Sequence, residues 1–121
     1  MYLLTIHPDR ELVYLAFVGQ VNSVDAKRCR EDMGALLPML KPAFCLLTDF
    51  STLEEMDYSC ADDIRSMMDQ LREYRISRIV RVIPDPRKDI GFNIMSYFHY
   101  GHGVSIRTAK SLAEALQLIR S

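Results

Sequence analysis

A chain of 121 residues, 49% of them hydrophobic and with a formal net charge of −1, is sized for one globular domain around one core, expected to span residues 1–121. The near-neutral balance and a pI near 6.3 exclude the concentrated surplus of Lys and Arg that binding to nucleic acid requires. Met1 to Pro8 carries no basic leader, and no run approaches the roughly 20 apolar residues of a membrane span, so the expectation is a soluble cytoplasmic protein without membrane insertion.

In chain order, Tyr2 to His7 reads as a strand, Pro8-Asp9-Arg10 as a turn, and Glu11 to Val18 as a second strand rich in β-branched and aromatic residues. The two should pair as a hairpin that Gly19 closes. Asn22 or Ser23 then caps a helix with Ala26, Cys29, Met33, Leu36, Leu37 and Leu40 at helical spacing, and Pro38 forces its end or a kink. The opposite face, with Asp25, Lys27, Arg28, Glu31 and Asp32, is expected to be solvated, and Gly34 weakens the helix without removing it. Ala43 to Thr48 is short and continuously apolar, the pattern of a central strand covered on both faces. A loop is expected from Thr52 to Met56, followed by a helix from about Ser59 to Arg75 whose inward stripe is Ile64, Met67, Met68, Leu71 and Tyr74.

Ile76 to Ile83 reads as the next strand. Pro84-Asp85-Pro86 ends it and opens a helix reaching about His99. Val104 to Arg107 gives the last strand, and Thr108 or Ser111 caps a closing helix, where Ser111 with Glu114 can form a capping box ahead of Leu116, Leu118 and Ile119. The order is ββαβαβαβα, an α/β domain with a mixed, mostly parallel five-stranded sheet and helices packed on it; beyond the opening hairpin, strands joined by helices should run parallel.

Chemistry concentrates where the central strand ends in Asp49-Phe50-Ser51 and where the next helix opens with Asp57-Tyr58-Ser59-Cys60. One reading is local: Asp57 or Ser59 caps the helix. The other makes Ser59 a phosphate acceptor beside unpaired backbone N–H groups at a helix start, its charge controlling a partner. Between Asp49 and Asp63 lie Asp49, Glu54, Glu55, Asp57, Asp62 and Asp63 with no Lys or Arg, so a phosphate there meets like charge, and release of a partner by repulsion is expected over internal ordering.

These two elements resemble the STAS domain, the family of bacterial anti-sigma-factor antagonists and sulfate-transporter cytoplasmic tails. Its hallmark is a strand ending Asp-Leu-Ser and a helix opening Asp-Ser-Ser-Gly; Asp49-Phe50-Ser51 matches the first and Asp57-Tyr58-Ser59-Cys60 the second, with Tyr58 in place of a serine and Cys60 in place of the glycine. The resemblance implies the same order of elements and places Ser59 on the family's phosphorylated serine; with Asp63 from the acidic surface around it, Asp49, Ser51, Asp57, Tyr58, Ser59 and Cys60 are the expected partner-binding residues. The partner it implies is a protein, a switch kinase or anti-sigma factor.

The segment Ile90 to Tyr100 is too apolar for one inward stripe. Ile90, Ile94 and Phe98 share a face while Phe92, Met95, Tyr97 and Tyr100 leave it. Either the closing helix or the glycine-rich turn covers them, or they form a surface for a homodimer or an apolar ligand. No catalytic constellation, cofactor loop or metal site is expected. His99 and His102 lack further ligands, no Gly-x-Ser-x-Gly frames a serine, and Gly101-His102-Gly103 lacks a following Lys-Ser/Thr. Cys29, Cys45 and Cys60 are odd in number and widely spaced, which fits reduced thiols better than disulfides. The sequence therefore reads as a non-enzymatic regulatory interaction domain. The alternatives are a small apolar ligand or lipid-binding module and, third, a small hydrolase or thiol enzyme.

Overall fold

A computed structural model of the protein describes residues 1–83 and 104–120. Strands β1 (Tyr2–His7) and β2 (Leu12–Phe17) form the expected antiparallel hairpin, joined by a 3-10 turn at Pro8–Arg10. Glu11 lies outside β2, contrary to the sequence reading, because it closes that turn in the left-handed conformation (φ 52°) with its N–H on the Pro8 carbonyl. A short strand, β3 (Gly19–Val21), leads to α1 (Ser23–Leu36). Of the two candidate caps Asn22 is the one used: its side chain accepts from the Asp25 N–H, and Asp25 reaches back to the Asn22 N–H. Pro38 ends the helix in a 3-10 turn, Leu37–Met39.

Strand β4 (Phe44–Asp49) is buried at every position. The expected loop after it is not all loop, since β5 (Leu53–Met56) pairs in parallel with β3 as a separate two-stranded sheet. A 3-10 turn at Tyr58–Cys60 precedes α2 (Ala61–Glu73), so the regular helix starts two residues later than expected. Its stripe of Ile64, Met67, Met68 and Leu71 is buried as read, each such side chain contributing about 1.5–3 kcal/mol. Tyr74 departs from the stripe: it sits at the C-cap and is exposed. Strands β6 (Ile76–Val82) and β7 (Ser105–Ala109) and helix α3 (Leu112–Arg120) complete the described chain. Thr108 lies within β7, leaving Ser111 to cap α3 by accepting from the Glu114 N–H at 3.1 Å. The segment read as helix Pro86 to His99 lies outside the described residues, and so do Phe92, Met95, Tyr97 and Tyr100.

The main sheet has the order β1-β2-β4-β6-β7, antiparallel only at the hairpin. It is the mixed, mostly parallel five-stranded sheet that the alternation of strands and helices predicts. One face, with Phe17, Phe44, Leu46 and Ile79, packs with the buried residues of α1 and α2. The other, with Cys45, Leu47, Val80 and Val82, receives Ala115 of α3. Alternation along each strand divides the residues between the two cores.

Candidate functional site

The carboxyl end of β4 is turned by its own last side chain. One carboxylate oxygen of Asp49 accepts from the Ser51 N–H at 2.8 Å and the other from the Tyr14 hydroxyl at 3.1 Å, so Asp49 pins the turn and the turn to β2. Burial, with Asp49 beside it, raises the Tyr14 pKa. Phe50 goes inward and stacks on Phe17, their ring centroids 6.1 Å apart. Beyond it, the Gly19 N–H donates to the Thr52 carbonyl. β5 then buries Leu53 and Met56 and leaves Glu54 and Glu55 exposed.

The head of α2 is anchored through Val21. Its carbonyl accepts the Asp57 N–H at 2.9 Å and lies 3.7 Å from the Cys60 thiol. Asp57 caps the 3-10 turn that leads into α2: its carboxylate accepts from the Ser59 N–H at 3.2 Å, and its carbonyl accepts from the Cys60 N–H, while Cys60, at the N-cap of α2 itself, makes no side-chain capping bond. The Ser59 hydroxyl is therefore not needed as a cap. It stands exposed beside Tyr58, which is 62% exposed. The first donor that a phosphate on Ser59 could use is occupied by the Asp57 carboxylate, which puts two anions at one helix start.

The seven residues expected to bind a partner thus separate by depth. Asp57, Tyr58 and Ser59 are exposed together, and Ser51 is exposed at the preceding turn. Asp49 and Cys60 are 8% and 0% exposed, so they support the surface from beneath. Asp63 lies on α2 one turn past Cys60 and pairs with Arg30 of α1 at 2.9 Å. A depression of about 290 Å³ flanks the cap, lined by Gln20, Val21, Asn22, Glu55 and Asp57. The acidic character read from the sequence is tempered in space. Arg30 reaches Asp63, and Arg65 pairs with Asp62, while Glu54 and Glu55 stay exposed.

Burial pushes the Cys60 thiol up to about 11, reinforced by Asp57, Asp63 and Asp25, with the backbone N–H opposing. It is a quiet thiol, as its acidic neighbours predict. Tyr14, Arg30 and Val21 were not singled out by sequence reasoning. Tyr14 and Val21 act through strand partners far away in the chain, and Arg30 gave only the signal of a charge beside buried Cys29. Among the described residues no group of three or more His, Cys, Asp or Glu side chains could hold a metal ion. Nor is any described helix long and apolar enough to cross a membrane.

No protein-family profile and no curated protein matches the sequence. Solved structures do match by shape. The anti-sigma factor antagonist SpoIIAA in its unphosphorylated form superposes with a TM-score of 0.68 at 18% identity, over 100% of this chain and 99% of that one. The Bacillus cell fate determinant SpoIIAA in its phosphorylated form gives 0.64 at 18% identity, over 99% and 100%. An uncharacterized Shewanella loihica protein with a SpoIIAA-like fold gives 0.68 at 16%, over 98% and 93%. Element order, sheet order and these superpositions agree on one conclusion: the chain has the STAS-like fold of the anti-sigma-factor antagonists.

Proposed function

We propose that this protein is a non-catalytic regulatory domain that binds a protein partner through the surface around Tyr58 and Ser59, and that phosphorylation of Ser59 releases the partner. The observation that carries this reading is the division of labour at the turn leading into α2: Asp57 caps that turn, leaving Ser59 exposed and its hydroxyl free of the capping role. An added phosphate brings a charge of about −1.5 to −2 next to the Asp57 carboxylate and the exposed Glu54 and Glu55. A partner with a basic surface fits the unmodified face, and a switch kinase or anti-sigma factor is the class that the STAS-like fold favours. The likeness to SpoIIAA, a protein solved both with and without phosphate, supports the reading.

The test is made in the organism's own cells. Protein recovered from them should yield a phosphopeptide modified at Ser59, and quantitative affinity mass spectrometry should find a protein held by wild type and Ser59→Ala but lost from Ser59→Asp. Unmodified Ser59 under all growth conditions, with the same partners on both variants, would overturn it. For the alternative of a small apolar ligand, the described residues offer a depression of about 250 Å³ lined by Leu12, Tyr14, Leu47, Leu112 and Leu116. A larger one of about 400 Å³ has Arg10, Glu11, Ser77 and Arg78 in its lining, too polar for an apolar ligand, and the surface around Phe92 and Phe98 on which that alternative rests lies outside the described residues.

A further inference from the structure

Near the carboxyl ends of the parallel strands three polar side chains stand in one row. Thr48 of β4 is the register partner of Arg81 of β6, and Arg81 is the register partner of Thr108 of β7. Alternation places Thr48 on the face of Phe44 and Leu46, Arg81 on that of Ile79, and Thr108 on that of Ile106, the face that packs against α1 and α2; along the row burial falls from Thr48 through the half-buried Arg81 to the exposed Thr108. Adjacent strands lie about 4.8 Å apart, so the row is continuous.

Its hydrogen bonding is incomplete. Thr48 is 1% exposed, and its hydroxyl oxygen is buried without a partner. The Arg81 Nε is likewise buried and unpartnered, and the guanidinium's bond to Thr108, from Nη2 to Oγ1, is long at 3.5 Å. Arg81 has no acidic partner among the described residues. Asp49, the nearest carboxylate in the strand, falls on the opposite face, where Tyr14 and the Ser51 N–H use it. Burial lowers the Arg81 pKa, which reports the cost of a partly desolvated charge without a counter-ion. Buried donors and an uncompensated cation are rare in native proteins unless something accepts from them.

We propose that Thr48, Arg81 and Thr108 form a subsite for a small oxyanion, a carboxylate or phosphate group. A planar guanidinium offers donors matched in spacing to two oxygens of such a group. The Thr48 hydroxyl closes the buried side and Thr108 the exposed side.

Thermal unfolding of the full chain, followed in inorganic phosphate, acetate and chloride at matched ionic strength, tests the assignment. Phosphate or acetate should raise Tm saturably over chloride in the wild type, and two-dimensional NMR should show the Thr48, Arg81 and Thr108 amides shifting with the same affinity. Arg81→Gln should lose the effect. Thr48→Val, which keeps the side-chain shape, should weaken the apparent Kd about tenfold, the value of one hydrogen bond to a charged group. No shift over chloride in the wild type would overturn the proposal, as would an equal shift in Arg81→Gln. It is equally overturned if the anions do nothing while Asp85→Asn or Asp89→Asn lowers Tm as Arg81→Gln does, since the chain would then supply its own counter-charge.

Discussion

At Ser59 and Asp57 the sequence offered two residues for one capping role, and the geometry divides them. Because Asp57 accepts the Ser59 N–H, Asp57→Ala should cost about 1 kcal/mol of stability, as a lost cap does. Ser59→Ala should stay within about 0.5 kcal/mol, as exposed substitutions do. Urea denaturation of both variants checks the contrast, and equal losses would return the cap to Ser59. The thiols give a second expectation. Burial, then Asp32, pushes Cys29 up to about 12, and burial with three aspartates pushes Cys60 up to about 11, from an ordinary 9.0. A raised thiol pKa contributes stability that is fully present below pH 9 and is lost as the pH climbs through 11 to 12, because the unfolded chain gives up those protons first. The urea midpoint should therefore fall steadily above pH 9, and Cys29→Ala and Cys60→Ala should each flatten the fall. Which residues were reactive in kind was legible from their types and neighbours. Which were buried was less so: Asp49 reads as a surface carboxylate until Tyr14, on another strand, is seen to hold it.

Elements with a strong period were legible, and those defined by one backbone angle were not. The stripe of α2 and the unbroken run of β4 gave both elements away, because burying one helical face or both strand faces leaves a pattern in sequence. β5 carries Leu53-Glu54-Glu55-Met56, with two exposed glutamates, a composition that strands avoid. It pairs with β3, whose first residue, Gly19, takes a positive φ of 65° as the chain leaves β2. Glu11, Ala43 and Arg75, directly before β2, β4 and β6, also take positive φ, and none is a residue type that announces it. Gly19→Ala isolates the conformational cost, since a Cβ there would meet nothing within 4 Å. The expected loss is about 1 kcal/mol, read by denaturation. Hydrogen exchange should speed up first at the amides of β3 and β5. A neutral substitution would mean that this short sheet does not depend on the turn.

At the scale of the molecule, two cores on opposite faces of one sheet account for most of the buried side chains, and that arrangement followed from the alternating order of elements. The surface read from Phe92, Met95, Tyr97 and Tyr100 lies outside the described residues, and its expectation stands as a proposal about assembly. If those side chains join two copies, replacing Phe92 and Tyr97 with glutamate should convert a dimer to a folded monomer in sedimentation velocity. Wild-type protein that sediments as a monomer at high concentration refutes the dimer, and unfolding of the variant assigns the segment to the core. The strand order carries one more consequence. β1-β2-β4-β6-β7 runs across the main sheet in the order of synthesis, so each new strand docks on the edge left by the one before and never inserts between two already paired. A chain leaving the ribosome can build this sheet from one side as it emerges. Its buried centre, β4, then waits for its second neighbour only as long as translation takes to deliver α2 and β6.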